Sequence, residues 1–128
     1  MRIGLTSILV DDQEKALAFY TEKLGFEVAN DIPLGEHRWL TVVAPEGTDE
    51  VELVLEPTAF PPARAYQEAL FEAGIPITAL FSEDVQAEYE ELAERGVVFR
   101  GEPRQMGGAV GVLFEDTCGN LVSLVQPG

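Results

Sequence analysis

One feature constrains this chain more than any other: it states the same plan twice, 72 residues apart. Residues 5–12 read LTSILVDD and residues 77–84 read ITALFSED, two apolar runs with small polar residues interleaved, each ending in acids. At that offset Thr6 meets Thr78, Asp12 meets Asp84 and Glu22 meets Glu94; one deletion later Gly25 falls on Gly96. A self-similar period of this length is read as architecture before anything else.

Each acidic end opens a helix-like segment. An aspartate accepts hydrogen bonds from the free N–H groups of a first helical turn, and a glycine after the last turn ends the helix. The first helix is expected from about Asp12 to Leu24, capped by Asp11 or Asp12, with Leu17, Tyr20 and Leu24 as its inward stripe and Gly25 as its stop. The second is expected to be capped by Asp84, to turn Val85, Tyr89 and Leu92 inward, and to stop at Gly96.

The remainder of each half also agrees. WLTVVAP, an EGTDE turn and VELVLE read as a β-hairpin; so do VGVLF, an EDTCGN turn and LVSLVQ. At an offset of 71, Val51, Glu52, Leu53 and Val54 fall on Val122, Ser123, Leu124 and Val125. Between the copies lies PTAFPPARAYQEALFEAGIP, an expected helix that starts at Pro61 or Pro62, stops at Gly74 and turns Tyr66, Ala69, Leu70 and Ala73 inward.

Two tandem βαβββ units of this size resemble the vicinal oxygen chelate superfamily, which includes glyoxalase I, extradiol dioxygenases, fosfomycin-resistance proteins and bleomycin-resistance proteins. VDDQEKALAFYTEKLGF is similar to its first-helix signature and FEDTCGNLVSLVQ to its closing segment. The resemblance covers the whole chain. It implies an α+β fold in a single domain, 1–128, with a first βαβββ module at 1–57, a helical connector at 58–76 and a second module at 77–128. Eight short strands and three main helices are expected, with the halves related by a pseudo-twofold axis about a shared cleft. It also implies a homodimer.

In metal-dependent members each half supplies two ligands, one from its first strand and one from its last. Carried over, those positions are Leu5 and Glu52, then Ile77 and Ser123, the same pairs that the repeat aligns. A divalent ion needs several carboxylate or imidazole ligands. Leucine and isoleucine offer no lone pair, Glu52 is the one competent ligand, and His37, the only histidine, brings the count at best to two. No metal and no other cofactor is expected.

Charge and length narrow the partners. Twenty-three acids against eight bases give a net charge of −15, which repels phosphate backbones and anionic lipid, so neither nucleic acid nor membrane is an expected partner. No basic-then-apolar leader or membrane-length apolar run occurs, and one cysteine cannot bridge within the chain, so a cytoplasmic location is expected. At 128 residues the chain buries roughly two thirds of its unfolded surface, enough for a core without staples.

Strand alternation then selects the residues of a small-molecule cleft. Expected there are Trp39, Thr41, Glu52 and Val54 from the first half, joined by Leu5, Ser7 and Leu9 as the family resemblance implies, and Ile77, Phe81, Val112 and Ser123 from the second, with Met106 on a loop beside Arg100 and Arg104. A mostly apolar lining with few polar groups is the composition of a ligand site. Ser123 has no histidine base near it in the pattern and reads as filler, and Cys118 reads as a turn residue. Two function classes stay open: a metal-free protein that sequesters a neutral or cationic aromatic compound, and a lyase or dioxygenase with a non-standard metal site. A fold that persists without a strong ligand is a third.

Overall fold

The computed structural model describes residues 1–47 and 50–128, so Thr48 and Asp49 of the expected EGTDE turn lie outside the described residues. The chain divides into two compact units, Met1–Tyr66 and Gln67–Gly128, a division that falls inside the stretch expected as connector. The architecture is α+β, with two sheets and three α-helices among the described residues.

In the first unit β1 (Leu5–Val10) runs parallel to β4 (Glu52–Pro57), followed across the sheet by β3 (His37–Val43) and the edge strand β2 (Glu27–Leu34). Alternation sends Ile8 and Val10 to one face, where Leu40, Val42 and Leu55 are also buried. Helix α1 (Gln13–Ala18) packs on β3 and β4. Each such leucine contributes roughly 1.5–3 kcal/mol by leaving water. Asp12 caps α1 by accepting from the N–H groups of Glu14 and Lys15. Gln13, also buried, fixes the helix start: its Nε2 donates to the carbonyls of Arg38 and Leu55, and its Oε1 accepts from the Arg38 N–H.

After Ala18 the expected helix becomes a π-helical turn, Phe19–Lys23. The wider turn changes which side chains face the sheet. Ala16, Phe19 and Tyr20 are buried, whereas Leu17 and Leu24 of the expected stripe are half-buried. Gly25, at φ +79°, ends the segment as expected, as Gly96 does at φ +92° in the second half.

On the outer side of β2 and β3 the Arg38 guanidinium donates from Nε and Nη2 to both oxygens of Asp31, at 2.9 and 2.7 Å, and from Nη1 to Glu14 at 2.6 Å. The forked hydrogen bond from Arg38 holds the Asp31 carboxyl below its ordinary value, and the two carboxylates raise the guanidinium further.

Helix α2 (Pro61–Ala73) starts and stops at the expected residues. Its buried residue is a different one: Gln67 is 3% exposed, while Tyr66, Ala69 and Ala73 are exposed and Leu70 is half-buried. Buried hydrogen bonds, described below, draw Gln67 inward.

In the second unit β5 (Thr78–Phe81) runs parallel to β9 (Leu121–Gln126), which pairs antiparallel with β8 (Ala109–Glu115). Asp84 caps α3 (Val85–Glu94) through the Ala87 N–H. The buried side is Val85, Leu92, Val112, Phe114, Val122 and Leu124, extended by edge-on contacts of Tyr89 with Phe99 and of Phe99 with Phe114.

The described residues form nine strands, not the eight expected. The first half spends one strand, β2, against β3; the second spends two short ones, β6 (Val98–Phe99) and β7 (Arg104–Met106), against β8. Pro103 has no N–H to give a ladder and interrupts what would be one strand. Among the described residues no helix is long and apolar enough to cross a membrane.

Candidate functional site

Each sheet has a face opposite its helix. In the first unit the register sets Leu5 beside Glu52, Ser7 beside Val54 and Leu9 beside Glu56, with Thr41 opposite Val54 and Ile32 opposite Trp39. The expected residues Leu5, Ser7, Leu9, Trp39, Thr41, Glu52 and Val54 therefore share one face. Trp39 is half-buried, Leu5 and Ser7 are exposed, and Thr41 and Val54 are buried.

A residue outside that expected set joins them. Asn30 Nδ2 donates to Glu52 Oε1 at 2.9 Å and to Thr41 Oγ1 at 3.1 Å, and Thr41 Oγ1 donates to the same Glu52 oxygen at 2.6 Å. The triangle fixes the carboxylate and leaves Oε2 without a hydrogen-bonding partner among the described residues. Asn30 reaches this face because the β2–β3 register shifts between Val28 and Asn30, a bulge that re-aims the following side chain. The sequence signal was the adjacent Asn30 and Asp31 in a segment without clean alternation.

In the second unit Ala79 lies opposite Ser123 and Phe81 opposite Val125, while Ser123 pairs across β8 with Leu113 and Val125 with Gly111. Ile77 lies just before β5 and donates its N–H to the Leu121 carbonyl. Val112 points to the helix side, paired with Leu124 and 5% exposed; the open-face residues of β8 are Gly111 and Leu113. Its run, AVGVLF, is apolar in both phases, so alternation alone could not set the phase. The first-strand neighbour of Ser123 is Ala79 and not Ile77.

A cavity of about 410 Å³ opens within this unit, its wall including Met106, Leu113, Ser123, Arg100 and Arg104, and reaching the edge of Val112. Phe81, 76% exposed, is not part of that wall. Cys118 is buried in the turn before β9, as expected of a turn residue.

The chain matches the family model of the Glyoxalase/Bleomycin resistance protein/Dioxygenase superfamily over residues 2–124. It belongs to that superfamily. Among its superfamily relatives is YurT of Bacillus subtilis (strain 168), 49% identical over 98% of this chain and 99% of the relative. Two similar solved structures are UcmS2, 38% identical with a TM-score of 0.84 over 98% of this chain and 97% of the other, and TnmS3, described as an antibiotic binding protein from Streptomyces sp. CB03234. The latter is 36% identical, with a TM-score of 0.77, over 100% and 97% of the two chains.

The positions at which metal-dependent superfamily members carry ligands hold Leu5, Glu52, Ile77 and Ser123 here, and the register substitutes Ala79 for Ile77 without adding a donor. His37 does not rescue the set. It begins β3, whereas Glu52 begins the antiparallel β4, so six residues of strand, roughly 20 Å, separate their levels. One carboxylate and one hydroxyl do not replace the hydration shell of a divalent ion. Among the described residues no three His, Cys, Asp or Glu side chains come together as a candidate metal site.

Proposed function

We propose that this chain is a small-molecule-binding protein that sequesters an aromatic compound, neutral or cationic, without a metal. The observation that carries the reading is the open face of the first sheet. There Trp39 offers stacking area, Leu5 and Leu9 offer apolar surface, and Asn30 and Thr41 hold Glu52 with one oxygen free for a ligand. The 36% identity to an antibiotic binding protein over nearly the full length of both chains supports the same reading.

Trp39 is the only tryptophan, so indole fluorescence reports directly on its surroundings. Titration with matched aromatic pairs, one amine-bearing and one neutral, is expected to quench or shift that emission saturably. Glu52→Gln is expected to weaken the cationic members by about 1 kcal/mol more than the neutral ones, roughly fivefold. Equal losses for both classes would remove the charge-recognition part of the proposal.

The proposed assembly is a cytoplasmic homodimer. Its support is the edge strand β2, which exposes Val28, Ile32 and Leu34 at 46–58%. Apolar side chains on an unpaired strand edge are a liability unless a partner covers them. Sedimentation at micromolar concentration is expected to return twice the 14.0 kDa chain mass; a 14.0 kDa species would contradict the dimer.

A further inference from the structure

The second unit's cavity has a charge character unlike that of the rest of the chain. Eight basic residues stand against 23 acids, yet two of the eight, Arg100 and Arg104, lie in its wall. Arg100 is occupied: its Nε donates to Glu115 Oε2 at 2.9 Å and its guanidinium lies 5.3 Å from the centre of the Phe71 ring. The Arg104 side chain makes no hydrogen bond or ion pair among the described residues, and Glu102, which shares the wall, is not within ion-pair distance of it. Its cross-strand partner is Gly111, which places no side chain beside it.

Ser123 is the second polar group of that wall. It is 8% exposed and its hydroxyl has no hydrogen-bond partner among the described residues, yet no buried side-chain oxygen or nitrogen is left without either a partner or solvent access. The hydroxyl therefore meets open space on the cavity side. Beside these two groups the wall carries apolar side chains, with Met106 lying over Gly111 and Leu113 next to Ser123.

We infer that this cavity is a binding site for an aryl carboxylate, with the Arg104 guanidinium and the Ser123 hydroxyl taking the carboxylate and Met106 and Leu113 covering the ring. A guanidinium is a planar fork that stays charged at any physiological pH and matches a carboxylate with two parallel hydrogen bonds. A cavity of about 410 Å³ is within the range of small-molecule sites. This inference goes beyond the function proposed above and uses neither Trp39 nor Glu52.

The test uses the full chain and two probes, 2-naphthoate and its neutral methyl ester, titrated by calorimetry while the Met106 methyl resonance is followed by NMR. Naphthoate is expected to shift the Met106 methyl and to bind at least tenfold more tightly than the ester. Arg104→Gln is expected to erase that preference by weakening naphthoate far more than the ester, and Arg104→Lys to restore part of it. Equal binding of both probes, an undiminished preference in Arg104→Gln, an unmoved Met106 signal, or no naphthoate binding below millimolar would each overturn the site. The Arg104 side chain is exposed and makes no hydrogen bond or ion pair among the described residues, so circular dichroism of the variants is expected to match the parent. A failed indole titration at Trp39 leaves these readouts untouched.

Discussion

Asp116→Ala is expected to destabilise the chain by about 3 kcal/mol or more, the largest loss of any single substitution considered. The side chain is fully buried in the turn between β8 and β9. Its Oδ1 accepts from the N–H groups of Cys118 and Asn120 at 2.8 and 3.1 Å, and its Oδ2 from Asn120 Nδ2 at 2.8 Å. Gln67 Nε2 on α2 then donates to Asn120 Oδ1 and to the Cys118 carbonyl, both at 3.0 Å. Alanine would strand three donors away from water and loosen the link from helix to turn. The same turn holds Thr117 at φ +66°, a conformation a β-branched residue resists, so the carboxylate also offsets backbone strain.

Gly119 completes the turn at φ +95°, and a Cβ there would sit 3.0 Å from three atoms of the Gln67 amide. Asp116→Asn, which keeps the shape and one acceptor, is expected to lose about half as much as alanine. Urea denaturation reads both; a loss under 1 kcal/mol for alanine would show that water replaces the carboxylate.

This network also marks where the sequence stopped being legible. FEDTCGN reads as a turn from its composition, but that its aspartate is a buried hub depends on Gln67, about fifty residues earlier, which a helix-face reading assigns to solvent. The apolar stripe of α2 predicted Tyr66 and Ala69 inward; a satisfied polar group won the position instead. In β1 Ile8 and Val10 are buried and Ser7 is exposed, the split that a two-residue period requires. Where a segment is apolar in both phases, as at Val112, only the pairing of β8 with β9 decides. Asn30 needed a bulge to reach Glu52, and bulges leave little trace in residue type. Of the stripe that 3.6-residue periodicity assigned to Leu17, Tyr20 and Leu24, Tyr20 is buried, while Leu17 and Leu24 are half-buried about the π-helical turn after Ala18. The two-fold plan itself was plain because it is carried by capping aspartates and terminating glycines, whose chemistry is local.

The second large effect concerns binding. Trp39→Ala is expected to weaken the tightest compound of the aromatic panel by about 2 kcal/mol, roughly 30-fold, through loss of stacking and of the apolar area it covers. Trp39→Phe keeps a ring and is expected to lose less than half of that. Neither change touches the Asn30–Thr41–Glu52 triangle, so the preference for cations over neutrals is expected to survive in both variants even as affinity falls.

The most direct test of metal-free binding on this face is one calorimetric titration of that compound into chelator-treated protein, parent and Trp39→Ala side by side, repeated after addition of zinc, nickel or manganese. The account predicts that the parent binds equally well with and without metal and that Trp39→Ala loses roughly 30-fold in both cases. Binding that disappears on chelation and returns with stoichiometric metal, or an affinity indifferent to Trp39, would contradict it.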